Sequence, residues 1–300
     1  MKKLHGVITA MTTPFDSKGR LDIEALEKQT EFLISKKINC LYPCGTTGEM
    51  YLMTADERKL VAETVVRKAA GRVTVFIHTG AMSQEETIHL SRHALETGAD
   101  GVGVVTPSYF KINDKAMVQY YCTIAQSLPQ DFPIYTYSIP QLAGNDISAP
   151  VLDEITSRCE NVIGIKYSYP DMSRLLEYLK IKNRSLSVVF GPDQLFLPAL
   201  VMGCDGTVSG CSGPMPEPFV EVYGKYLAGD IKGAHIAQLK ASELINIMQN
   251  GSDMAFFKTA LSVRGIPGGS VRKPLLDLDE EKKHRLLEAL RPYLEEIDDR

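Results

Sequence analysis

The chain has no Cys-x-x-Cys pair, no block of basic residues, no low-complexity segment and no apolar stretch as long as a membrane span. Each absence removes a class of function. The six cysteines, Cys40, Cys44, Cys122, Cys159, Cys204 and Cys211, are scattered singly, so reduced, mostly buried thiols are expected. Lys and Arg number 33 against 37 Asp and Glu, a formal charge of −4, which argues against nucleic acid as a partner. Without a long apolar run the chain is not expected to enter a membrane. The start, "MKKLHGVITAMTTPF", interrupts its apolar residues with Thr9, Thr12 and Pro14 and reads as a first strand rather than a signal peptide. A reducing cytoplasm is the expected location. His89 and His93 lie four apart, but "HLSRH" lacks the carboxylate of a zinc-hydrolase motif, so no metal site is expected. "GVGVV" lacks the context of a dinucleotide fingerprint.

What is present is alternation. Short β-rich apolar runs alternate with longer segments of helical period. The runs are "GVITAMT", "NCLYPCG", "VTVFIHTG", "DGVGVVTP", "FPIYTYSIP", "VIGIKYS", "LSVVFGP" and "DGTVSG". Helical periods cover Asp22 to Lys37, Thr54 to Ala70, Ser83 to Thr97, Asp171 to Lys180 and Gln194 to Met202. "TADE" and "SQEE" open the second and third of these as capping boxes. Eight strands with helical crossovers and no long linker predict an α/β fold, a (β/α)8 TIM barrel, over residues 1–225, with a doubly wound open sheet as the competitor. Residues 226–300 read as a C-terminal helical extension.

In such a barrel the chemistry sits at the C-terminal ends of the strands. Those ends bring Thr46, Thr47, Tyr109, Tyr137, Lys166, Asp193 and Ser209 toward one mouth. A lysine there ends an otherwise apolar strand. Desolvation disfavours a charged amine, and the neutral form attacks ketones to give a Schiff base. A tyrosine one strand away, bonded to threonine hydroxyls, can relay the protons that imine formation requires. Backbone N–H groups around Gly45 and Gly48 suit a carboxylate. The glycine-rich "GCDGTVSGCSG" suits either a phosphate or a close approach of backbone to ligand.

"GTTGE" at 45–49, "YSIP" at 137–140, "GIKYS" at 164–168 and "GPDQ…GCDGTVSG" at 191–210 resemble the dihydrodipicolinate synthase / N-acetylneuraminate lyase family over nearly the whole chain. The resemblance implies class I aldolase chemistry on pyruvate and an aldehyde, no metal or organic cofactor, and a homotetramer built as a dimer of dimers. It implies that Lys166 is the Schiff-base lysine and Tyr137 the proton relay, with Thr47 completing it. It further implies that Thr46 and Thr47 hold the pyruvyl carboxylate. Tyr109 matches a tyrosine that reaches toward a neighbouring subunit's site. Ser168, Gly191, Asp193, Gln194 and Ser209 are the remaining expected substrate contacts.

The branch is read from departures. Synthases of the family carry an arginine where "YSIPQLAG" has Leu142. Its absence removes a charge-assisted contact worth about 1.5–3 kcal/mol to a second carboxylate. "IPQLAG" resembles the sialic acid lyase and sugar-acid aldolase branch, although Gln194, Gly210 and the first Thr of "GTTGE" differ from sialic acid lyases. The expected activity is cleavage or formation of a 2-oxo sugar acid, such as N-acetylneuraminate or a 2-keto-3-deoxy sugar acid. Dihydrodipicolinate synthase and a non-catalytic 2-oxo acid sensor are the alternatives.

Overall fold

All eight apolar runs become strands of one closed parallel barrel in the order β1 to β8. The computed structural model describes residues 1–251 and 253–298; the last two residues of the expected extension lie outside them. The strands are β1 (Gly6–Ala10), β2 (Cys40–Tyr42), β3 (Thr74–His78), β4 (Gly101–Val105), β5 (Ile134–Ser138), β6 (Val162–Tyr167), β7 (Ser187–Phe190) and β8 (Gly206–Ser209). Helices α1 (Ile23–Ser35), α2 (Ala55–Ala69), α3 (Gln84–Glu96) and α4 (Asp114–Gln126) follow the first four strands. A single turn, α5 (Pro140–Ala143), and α6 (Ala149–Arg158) follow β5; α7 (Met172–Tyr178) and α8 (Phe196–Met202) follow β6 and β7. After β8 come α9 (Pro216–Leu227), α10 (Ile231–Ile247), α11 (Met254–Val263) and α12 (Glu280–Asp298).

The helix starts follow the sequence signals. Thr54 and Glu57 complete a reciprocal capping box at α2. At α3 only the serine half is present, with Ser83 Oγ accepting from Glu86 N. The expected helix from Gln194 begins instead as a 3-10 turn, Asp193–Leu195, and becomes α-helical at Phe196.

The barrel interior explains why three strand residues are glycine. Phe76, Tyr42 and Tyr135 point inward, and each ring occupies the space that a side chain on a neighbouring strand would take. A Cβ on Gly101 would lie 2.3 Å from Phe76, one on Gly103 1.8 Å from the Tyr42 hydroxyl, and one on Gly164 2.3 Å from Tyr135. Phe76 and Tyr135 meet edge to face at 5.4 Å, a geometry worth about 0.5–1.5 kcal/mol beyond the area buried. The Tyr135 hydroxyl donates to Ser187 Oγ and accepts from Leu4 N. This aromatic layer closes the barrel beneath the mouth. Gly164 and Lys166 share the inward face of β6, because side chains alternate along a strand. Ile165 and Tyr167 face the helices.

The helices after α9 do not stand apart from the barrel. Gln238 of α10 accepts from Leu197 N at 2.9 Å and donates to Asp193 O at 3.2 Å, which ties α10 to the loop after β7. Among the described residues no helix is long and apolar enough to cross a membrane. All six cysteines are free and buried.

Candidate active site

Parallel pairing aligns Tyr137 of β5 directly with Lys166 of β6. Lys166 is 4% exposed, and its Nζ lies 3.8 Å from the centre of the Tyr137 ring and 4.8 Å from that of Tyr42. Among the described residues no carboxylate forms an ion pair with it. An amine resting on ring faces and unpaired with an anion is free to approach a carbonyl carbon. Thr46 Oγ1 lies 3.4 Å from the Tyr137 hydroxyl, which puts a proton-carrying pair beside the amine.

The loop after β2 presents both threonines. It opens at Cys44 and closes at Glu49, each with left-handed backbone. Gly48 N donates to Gly45 O, and Gly48 O accepts from Thr13 Oγ1 at 2.9 Å. Gly48 sits in close quarters: a Cβ there would meet the Met11 carbonyl and the Thr13 hydroxyl at 3.2 Å. A cavity of about 480 Å³ lies above Lys166. Thr46, Thr47, Tyr137, Lys166, Ser168, Gly191, Asp193 and Gln194 all line it.

Two expected residues sit elsewhere. Ser209 is fully buried and outside the lining; its Oγ accepts from Ser212 N at 2.9 Å. Tyr109 is 84% exposed with φ 74° and packs edge-on against Phe110. The glycines of the strand-8 region serve close packing: a Cβ on Gly206 would strike Gly6 O at 2.2 Å, and one on Gly210 would meet Phe257 at 2.8 Å.

Sequence reasoning missed one whole wall. Ile245, Asn250, Gly251, Met254 and Phe257, all from the region after α9, line the cavity. Asn250 adopts left-handed backbone, and its Oδ1 accepts from Gln194 Nε2 at 2.5 Å. The Asn-Gly pair between two helical periods was the available signal. Tyr42 and His78 were also missed. They lie under Lys166 and Tyr137, and the His78 ring meets Tyr137 edge-on at 5.8 Å. Burial, with Arg58 and Lys166 nearby, holds the His78 pKa well below its ordinary value. The imidazole is therefore neutral, with Nδ1 donating to Cys44 O at 3.0 Å.

Asp193 carries the cavity's other electrostatic tension. Its Oδ1 is closed off from solvent without a hydrogen-bond partner. Burial pushes the carboxyl up to about 7, against the lowering effect of Ser209, Cys211 and Lys166. A carboxyl whose pKa is raised on folding favours the native state fully below its unfolded pKa, and loses that contribution as pH rises through the folded value. The ligand-free wild type should therefore lose stability between about pH 4 and pH 7 from this group. Asp193→Asn should flatten that part of the profile. Thermal melts from pH 4 to pH 8 should show the variant gaining on the wild type by several degrees; parallel profiles would refute the assignment.

Closed barrel, inward lysine and adjacent tyrosine–threonine pair define a class: a carbon–carbon lyase of the class I aldolase type. Residues 3–292 match the Dihydrodipicolinate synthetase family, and the chain belongs to that family. It is 34% identical over 289 residues to the 4-hydroxy-tetrahydrodipicolinate synthase of Aquifex aeolicus, covering 96% of this chain and 97% of the relative. The structure of a Ruminococcus gnavus sialic acid aldolase, solved as a catalytic lysine mutant, superposes with a TM-score of 0.93 at 28% identity, covering 100% of this chain and 99% of that one. YagE, a prophage protein of the family from E. coli K12 solved with pyruvate, superposes with a TM-score of 0.92 at 28% identity, over 97% of this chain and 99% of that one.

Proposed function

We propose that this protein is a pyruvate-dependent aldolase that cleaves or forms a 2-oxo acid with a neutral, hydroxylated tail. In the cleavage direction Lys166 Nζ adds to the C2 ketone, and loss of water gives the iminium. Tyr137, next to Thr46 in the relay, gives its phenolic proton to the departing carbinolamine hydroxyl, and the resulting phenolate takes the proton of the C4 hydroxyl as the C3–C4 bond breaks. The aldehyde leaves, and the electron pair stays on the lysine-bound enamine. Protonation at C3 and hydrolysis free pyruvate and the amine. Thr46, Thr47 and the loop N–H groups hold the carboxylate. The pyruvate complex of YagE and the lysine mutant of the sialic acid aldolase support this use of the site.

One observation carries the choice of tail. Among the described residues lining the cavity, Lys166 is the only cation. Leu142 occupies the rim, and Ser168, Asp193, Gln194 and Asn250 offer hydroxyl, carboxyl and amide groups. That lining suits a polyol and leaves a second carboxylate without a partner. The opposing reading, condensation of pyruvate with aspartate semialdehyde, has the name of the Aquifex relative in its favour. A non-catalytic sensor has no use for the tyrosine–threonine pair. The exposed Tyr109 and Phe110 support a homotetramer in which a second copy covers them, and six free thiols support a reducing cytoplasm.

Cleavage of sialic and 2-keto-3-deoxy acids should be compared with condensation on aspartate semialdehyde. At least one neutral-tailed acid is expected to give a kcat/KM about tenfold or more above that of the condensation, the discrimination that one lost charge-assisted contact supplies. The reverse order would overturn the branch while leaving the imine chemistry standing.

A further inference from the structure

The loop bearing Thr46 and Thr47 is gripped from outside at its closing end. Glu49 there holds φ 59°, a left-handed conformation that a residue with a side chain keeps only when its surroundings enforce it. Its backbone N donates to Thr46 O at 3.0 Å, so the position of Glu49 is passed directly to Thr46. The Glu49 carboxylate forms an ion pair with Lys258 Nζ, and both side chains are 1% exposed. Glu49 Oε2 also accepts from Arg272 N at 2.7 Å. Lys258 Nζ donates to Ser270 O at 2.7 Å and lies 4.6 Å above the Phe15 ring. The lysine belongs to α11, outside the barrel.

A buried ion pair is a poor device for stability, because desolvation offsets most of its attraction. Burial holds Lys258 below the ordinary lysine range, with Glu49 opposing that shift. What the pair supplies is a fixed distance and direction at a strained loop end. We propose that Lys258 is a positioning residue: through Glu49 it sets the loop 45–49 so that Thr46 meets Tyr137 and Thr47 faces the cavity. The helices after α9 then belong to the catalytic apparatus, although none of them carries a reacting group. The inference rests on the reading that Thr46 and Thr47 seat pyruvate.

The test uses the intact protein and pyruvate as the probe. Half-saturation of borohydride trapping and the kcat of cleavage are measured for the wild type, Lys258→Met, Glu49→Gln and Arg264→Met. Arg264 pairs with Glu217 and donates to Pro214 O, anchoring the end of α11 without touching the loop. Lys258→Met is expected to raise the pyruvate concentration for half-saturation about ten- to a hundredfold and to lower kcat, the usual cost of a small misplacement at a reacting centre. Trapping should still reach completion at high pyruvate. Arg264→Met should lower Tm and leave both constants within about twofold. If Lys258→Met does not fold, Glu49→Gln, which keeps an acceptor for Arg272 N, should show the same direction of change. Constants unchanged in whichever of these two variants folds would overturn the positioning role. A wild type that forms no pyruvate adduct would overturn the pyruvate reading and this inference together.

Discussion

Lys166→Ala is expected to abolish turnover and to remove the pyruvate adduct altogether. Borohydride with pyruvate should add one reduced pyruvyl group to the wild-type peptide containing Lys166, seen as a single mass increment, and none to the variant. The size of the effect follows from the role. A nucleophile that forms the covalent intermediate has no substitute in the cavity, where Lys166 is the only amine among the described lining residues. Residual activity is expected at or below about one part in 10,000, the scale on which knocking out a covalent nucleophile is read. The variant should fold. Lys166 leaves no ion-pair partner behind, and its Nζ rests on the Tyr137 ring, which lines the cavity, and on the buried Tyr42 ring. A folded variant with substantial turnover, or an adduct on another residue, would remove the mechanism.

Tyr137→Phe is expected to lower kcat by about 10²–10⁴-fold, the usual contribution of a positioned proton-transfer group. The ring remains, so the face against Lys166 and the edge contact with His78 survive. Only the hydroxyl facing Thr46 is lost. Trapping should therefore still modify Lys166, more slowly, while release of the aldehyde nearly stops. The two variants separate the roles: one loses the adduct, the other accumulates or forms it without turning over. A kcat within about tenfold of the wild type would show that the proton moves by another route.

The barrel was legible because parallel strands buried on both faces read as continuous apolar runs between helical periods. Lys166 was legible for the complementary reason, as the one residue that breaks its run. The caps at Thr54 and Ser83 marked helix starts, since a hydroxyl acceptor three residues before an acidic residue is a local device. What the sequence hid is nonlocal. Tyr42 in a strand reads as core, and nothing nearby says that Gly103 on another strand makes room for its hydroxyl. His78 carries no mark of its place beneath Tyr137. Asn250 and Phe257 follow β8 by some forty residues or more, and only the packing of α10 and α11 onto the mouth brings them to the cavity. Ser209 was placed by strand-end counting, but it lies outside the lining: its Oγ accepts from Ser212 N, and it acts on the cavity only through Asp193.

That the far wall comes from a separate stretch of chain has a practical side. On the proposed mechanism the covalent step draws on β5, β6 and the loop after β2, while Ile245, Asn250, Gly251, Met254 and Phe257 supply a separate part of the cavity wall. A designer wishing to retune which aldehyde is accepted has a short contiguous graft to vary. The strut residue that directly follows it, Lys258, is the position such a library must leave alone.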